Sequence, residues 1–251
     1  MFGKNPIEKP LKGHDGSELQ VVDSSPFYTI QGEGPYAGRP AVFLRLHGCN
    51  LACWFCDTQF SDPGDPWRRI SELYEEVECA GLGRTNLLVI TGGEPLRQNI
   101  GPFCFMMREA GWDIQIETAG TVWLRGMVLP HATTLVVSPK TPVVHPNVHM
   151  RAGAWKYVIS ASDTPHWGAA DPGYVPRSNT QDKGKAAVLL ARPPDGECPS
   201  NVYLSPMNEY DESKNARNKA LVAELALRYG VTAGLQLHKE LGVKEPGYSH
   251  D

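Results

Sequence analysis

HGCNLACWFCDT, residues 47–58, puts Cys49, Cys53 and Cys56 in one loop, separated by three residues and then by two. The loop is fed by AVFLRLHG, residues 41–48, an apolar run that reads as a β-strand. Spacing alone leaves three readings open. A structural zinc site takes four ligands, usually as two pairs well apart in sequence, and His47 is cramped as a fourth ligand so close to Cys49. A redox pair of Cys53 and Cys56 gives Cys49 no work. A cubane iron–sulfur cluster normally takes four thiolates, so a loop offering three leaves one iron open to another ligand, where a pure electron carrier would close all four positions.

Outward from the loop, Ile70, Leu73, Val77 and Ala80 recur at helical spacing, and Gly81 ends that helix. NLLVITGGEP, 86–95, reads as a buried strand stopped by two glycines and a proline. Residues 102–111 read as a helix, and DIQIETAGT, 113–121, alternates as a strand does. Further strands are expected over 133–140, 154–160, 186–191 and 201–207, a Gly230-capped helix over 213–230, and a closing strand and turn over 231–242. Residues 161–184, rich in Pro, Gly, Asp and Ser, read as a loop insertion. Strands alternating with helices give the α/β class with a mostly parallel sheet. Only about three helices accompany the strands, so the expected architecture is an incomplete, TIM-like barrel of about six parallel strands with few helices. The expected organisation is a flexible extension over 1–22, a single domain over 23–246 with its insertion near 161–184, and a tail over 247–251.

The chain has 251 residues, 41% hydrophobic and 21% charged, with a net charge of −4. This suits one sizeable domain and shows no basic excess for nucleic acid. No apolar run approaches the roughly 20 residues of a membrane span. The N-terminal segment lacks the apolar core of a signal peptide, so the expected location is the cytoplasm. There a reducing environment disfavours disulfides, and a tight cysteine cluster points to metal. Cys79 and Cys104 read as small buried hydrophobes, while Cys198, in a loop, is left without a role.

The Cys49–Cys53–Cys56 spacing, ending in Trp54-Phe55-Cys56, resembles the radical S-adenosylmethionine superfamily. That resemblance implies a 4Fe-4S cluster on the three cysteines. Its open iron is chelated by the amino and carboxylate groups of S-adenosyl-L-methionine, and cleavage of the sulfonium bond yields a 5′-deoxyadenosyl radical. It also implies an electron donor such as flavodoxin or ferredoxin. Phe55 takes the position that lies against adenine. TGGEP, 91–95, takes that of the motif binding the cofactor's amino end, giving Gly92, Gly93 and Glu94. In SPK, Ser138 and Lys140 stand where the carboxylate and ribose are contacted, with Thr118 of ETAG a further candidate.

FYTIQGEGPYAGRPAVFLRLHGC, 27–49, is similar to the start of the 7-carboxy-7-deazaguanine synthases of the 7-deazapurine and queuosine pathway. CDT, TGGEP, ET-x-G, SPK and KYV follow in the order of that family. The resemblance covers about 23–160 and resumes at 204–207 and 235–242. It implies a lyase acting on a small pterin, 6-carboxy-5,6,7,8-tetrahydropterin, with hydrogen abstraction at C6, ring contraction and loss of ammonia. Gln31 and Glu33 would then meet the pterin edge, and Arg45, in a two-point fork, would take the carboxylate, with His238 as a second candidate. Thr58 would ligate Mg2+, a hard cation content with a hydroxyl and waters. A homodimer is implied as well. Two features depart from the family pattern. Lys244 stands where family chains end in proline, and the 161–184 insertion matches nothing. The remaining readings are a radical activase acting on a protein, which shares the cysteine spacing, and a non-catalytic iron–sulfur electron-transfer module.

Overall fold

The computed structural model describes residues 5–56, 58, 66–162, 176–178, 180–181, 186–196 and 198–244. The chain begins with β1 (Glu18–Gln20), β2 (Phe27–Ile30), β3 (Pro40–Leu46) and β4 (Trp67–Arg69). It continues through α1 (Ile70–Gly81), β5 (Leu87–Gly92), α2 (Gly101–Glu109), β6 (Asp113–Thr118), β7 (Thr133–Val137), α3 (Pro146–Arg151) and β8 (Ala152–Ile159). Last come β9 (Arg177–Ser178), β10 (Val188–Leu189), β11 (Val202–Pro206), α4 (Glu212–Tyr229), β12 (Thr232–Ala233) and α5 (Leu237–Glu240).

Eight strands form one sheet in the order β12-β11-β8-β7-β6-β5-β3-β2. Every neighbouring pair is parallel except β2–β3 at the edge. The order follows the sequence without reversal. Because parallel crossovers share one hand, such an order puts the connecting helices on one face of the sheet. The side chains agree. Leu44, Ile90, Ile116, Leu135 and Tyr157 of the sheet join Leu73, Val77, Phe103, Met107 and Leu225 of the helices in one apolar cluster. The uncovered face carries a small apolar group near the strand starts, Phe27, Ala41, Phe43, Leu87 and Val89, and polar residues beyond it. This is the expected partial barrel.

Several local expectations are corrected. Residues 186–191 do not join the sheet; only β10 forms, paired antiparallel with β9. The closing segment has a two-residue strand and then a helical turn, α5. Gly81 ends α1, but the left-handed residue is Leu82; glycine is needed at 81 because a Cβ would run into the Trp112 ring. Cys104 is buried as expected, whereas Cys79 is exposed. Most of 161–184 and all of 247–251 lie outside the described residues.

The flexible extension expected over 1–22 does not describe residues 5–22. β1 pairs with β4, and Leu19, Val21 and Val22 are buried. Polarity at the start of the chain hid an apolar anchor at its end. Replacing Leu19 by Ala removes a fully buried side chain from the main core. It should cost about 2–5 kcal/mol in urea unfolding, against no measurable change for a frayed segment.

Candidate active site

The motifs sit at the C-terminal ends of parallel strands, where sheets of this kind build their sites. β3 opens into the Cys loop, β5 into Gly92-Gly93-Glu94, β6 ends on Thr118, and β7 leads to Ser138 and Lys140. Backbone contacts join the first two of these loops: Gly93 N donates to Leu46 O and Glu94 N to Gly48 O, each at 2.9 Å. A Cβ on Gly93 would overlap the Gly48 carbonyl, and one on Gly92 (φ +113) would overlap the backbone of Leu46. These glycines therefore let one loop lie against the other.

Glu94 is fully buried. Its carboxylate accepts from Thr118 Oγ1 at 2.6 Å, Ala119 N at 2.9 Å and Leu96 N at 3.0 Å. Burial raises its pKa against the pull of those donors. Thr118 thus orients Glu94. Lys140 Nζ donates to Ser138 O at 2.8 Å and to Ser138 Oγ at 2.5 Å. Burial lowers the Lys140 pKa, and its ammonium senses Cys53 and Cys56 as well as Lys156 and Glu33.

None of the three cysteines is in a disulfide. Gln181 Nε2 donates to Cys53 Sγ at 3.2 Å while Gln181 Oε1 accepts from Ala52 N at 3.0 Å. Trp54 N donates to Thr180 O at 3.1 Å, so the end of the insertion supports the Cys loop. Burial, with Glu94, Cys53 and Cys56 adding to it, pushes the Cys49 thiol up to about 12. A thiolate there needs a cationic partner, as a metal cluster supplies. No three His, Cys, Asp or Glu side chains among the described residues converge as ligands of a single ion do. A cubane engages each thiolate on a different iron, so three soft donors in one loop fit it without converging on a single point. Phe55 is half-buried in the same loop, edge-on to Trp54 with ring centroids 5.3 Å apart.

The polar face of the sheet carries the second half of the site. Side chains alternate along a strand, so Arg45, Gln115, Glu117 and Lys156 point away from the helices that cover Leu44, Ile116 and Tyr157. Lys156 Nζ lies 2.8 Å from Glu33 Oε2 and 3.1 Å from Glu117 Oε2. Glu117 Oε1 accepts from Gln31 Nε2 at 2.9 Å and from Gln115 Nε2 at 3.1 Å. Gln31 Oε1 accepts from Glu33 N at 3.0 Å. Burial works against the Glu117 charge, but the Lys156 ammonium and the donors from Gln31, Lys156 and Gln115 outweigh it and hold the carboxyl below its ordinary range. Burial likewise works against the Lys156 charge, and Glu117 and Glu33 overcome it, raising that pKa.

Of the expected residues, Gln31 and Glu33 meet in this ladder. Buried His238 packs on Gly32 between them, where a Cβ would strike its ring. Arg45 is buried on the same face with its guanidinium 4.8 Å above the Phe27 ring. Thr58 stands beside the Cys loop, its carbonyl accepting from Asn5 Nδ2 at 2.9 Å. Sequence reading missed Glu117, Lys156 and Gln115. The signals were there: polar residues at the positions of DIQIET opposite its isoleucines, and one lysine in the apolar run AWKYVIS.

A three-thiol loop joined to a Gly-Gly-Glu turn at the open end of a partial parallel barrel defines a radical S-adenosylmethionine enzyme, which uses a 4Fe-4S cluster and S-adenosylmethionine. The Radical SAM superfamily model matches residues 44–159. The chain belongs to the 7-carboxy-7-deazaguanine synthase family of such enzymes, which act in deazapurine biosynthesis. It is 38% identical to the family member of Rhodospirillum rubrum over 97% of this chain and 100% of that one. It is 35% identical to that of Rickettsia prowazekii over 97% and 96%, and 42% identical to that of Methanospirillum hungatei over 94% of each. The crystal structure of QueE from Escherichia coli shares the fold, with a TM-score of 0.58 at 21% identity over 88% of this chain and 95% of that one. Among the described residues no helix is long and apolar enough to cross a membrane.

Lys156→Met would leave Glu33 and Glu117 facing each other without a cation. A loss of about 3–5 kcal/mol is expected at neutral pH. Glu117, with its lowered pKa, contributes stability above its unfolded-state pKa and loses it as pH falls through the folded value. In the variant, protonation relieves the repulsion. Denaturant unfolding from pH 7 down to about 4 should therefore show the gap to wild type narrowing.

Proposed function

We propose that the enzyme converts 6-carboxy-5,6,7,8-tetrahydropterin to 7-carboxy-7-deazaguanine with release of ammonia. The observation that carries this reading is the charged ladder Gln31–Glu117–Lys156–Glu33 on the polar face beside the Cys loop. Lys156 bridges the Glu33 and Glu117 carboxylates, and an ionised carboxylate, being acceptor-only, complements the N–H donors along the edge of a pterin. Arg45 and His238, at the margin of the ladder, supply positive charge or donors for the substrate carboxylate.

Bound cluster and S-adenosylmethionine supply the hydrogen-abstracting radical. The chain's own residues bind and orient. Glu94, fixed by Thr118, Ala119 and Leu96, offers a carboxylate for the cofactor's ammonium. Lys140, whose charge senses Cys53 and Cys56 as well as Lys156 and Glu33, and Ser138, to which it donates, are suited to the cofactor carboxylate and ribose. Phe55 offers a face for adenine. Thr58 is the proposed Mg2+ ligand; with no cluster of acidic side chains among the described residues to help it, waters and substrate oxygens complete the shell. A reducing cytoplasm, a flavodoxin- or ferredoxin-type donor and a homodimer belong to the same reading and rest on the family resemblance.

The test is anaerobic turnover of reconstituted protein with dithionite, S-adenosylmethionine and the carboxytetrahydropterin. The deazapurine and ammonia should appear in equal amounts with the S-adenosylmethionine pool undiminished. Consumption of one cofactor per event, or inertness toward the pterin, would contradict this assignment.

A further inference from the structure

A charged layer lies directly behind Cys49. Residues 5–9 run along the Cys loop: Ile7 bridges Cys49, and Glu8 N donates to Cys49 O at 2.7 Å. Below them is the side chain of Arg97, only 1% exposed, with its Nη2 3.1 Å from Glu8 Oε2. The same guanidinium donates to Lys9 O and His47 O, each at 3.0 Å, and to Gln20 Oε1. A Cβ on Gly48 would meet both the Arg97 guanidinium and the Glu8 carboxylate. This ion pair therefore touches the backbone that precedes the first cluster thiol. Neither residue belongs to the polar ladder or to the loops assigned to the cofactor.

We infer that the Arg97–Glu8 pair sets the reduction potential of the iron–sulfur cluster. Reduction transfers one electron from an external one-electron donor to the cluster, and no bond forms or breaks. The added negative charge is stabilised by a nearby cation and opposed by a nearby anion, and both effects are strengthened in a low-dielectric interior. Arg97 is buried, whereas Glu8 is 26% exposed and better screened by water, so the pair's own contribution at Cys49 favours the reduced state, against the opposing charge of Glu94. The two residues pull in opposite directions, which a purely structural brace would not do.

The holoenzyme is titrated anaerobically without substrate, with the reduced cluster followed by EPR, so the result is independent of the pterin assignment. Arg97→Gln should shift the midpoint to more negative potential and Glu8→Gln to more positive potential, with Arg97→Lys, which keeps the charge, close to wild type. Iron and sulfide content and far-UV circular dichroism establish that each variant is loaded and folded. Shifts of the same sign for Arg97→Gln and Glu8→Gln, or an unchanged midpoint in loaded Glu8→Gln protein, would overturn the inference. If Arg97→Gln fails to hold a cluster, Glu8→Gln decides alone: a positive shift supports it, and no shift or a negative one overturns it.

Discussion

The structure depends on a close approach between two backbones. The turn after β5 is pressed onto the loop after β3 through Gly93 N to Leu46 O and Glu94 N to Gly48 O. Side chains at 92 and 93 would forbid it. With the glycines, two loops distant in sequence become one surface, with thiols on one side and the oriented Glu94 carboxylate on the other. Both strands lie inside the sheet, paired on both sides and largely buried, so the surface rests on well-packed backbone.

The one-sided arrangement of helices supplies the rest. Apolar residues meet the helices on one face of the sheet, and the other face is free to carry Gln115, Glu117, Lys156 and Arg45. Burying such groups is unfavourable unless each finds partners, and the ladder provides them through alternating charge and amide donors. Hydrophobic residues could fill the same volume at equal or greater stability. Charges at this position are better understood as groups kept ready for a polar ligand, and Lys140 feels both them and the thiols.

How far the sequence could be read depended on the range of the interactions. Period-two alternation and apolar runs are local, so β3, β5, β6, β7 and β8 and the class of sheet were legible, as were the three thiols and the Gly-Gly-Glu turn. Left-handed Gly230 likewise marked the C-terminal end of α4. Long-range pairing was not legible. Residues 5–22 looked frayed because their polar residues are answered by Arg97, Gln98 and the Cys loop far along the chain. The run 186–191 looked like a sheet strand, yet its partner is β9 within the insertion. Lys156 stood out in its apolar run, but its meaning needed Glu33 and Glu117 brought in from two other segments.

The central claim is that Cys49, Cys53 and Cys56 hold a cluster with one iron left for S-adenosylmethionine. Mössbauer spectroscopy of protein reconstituted with 57Fe tests it most directly. Three irons alike and one distinct are expected, with only the distinct site changing when S-adenosylmethionine is added. A cluster with every iron bound by the protein and indifferent to the cofactor, or zinc in its place, would contradict it.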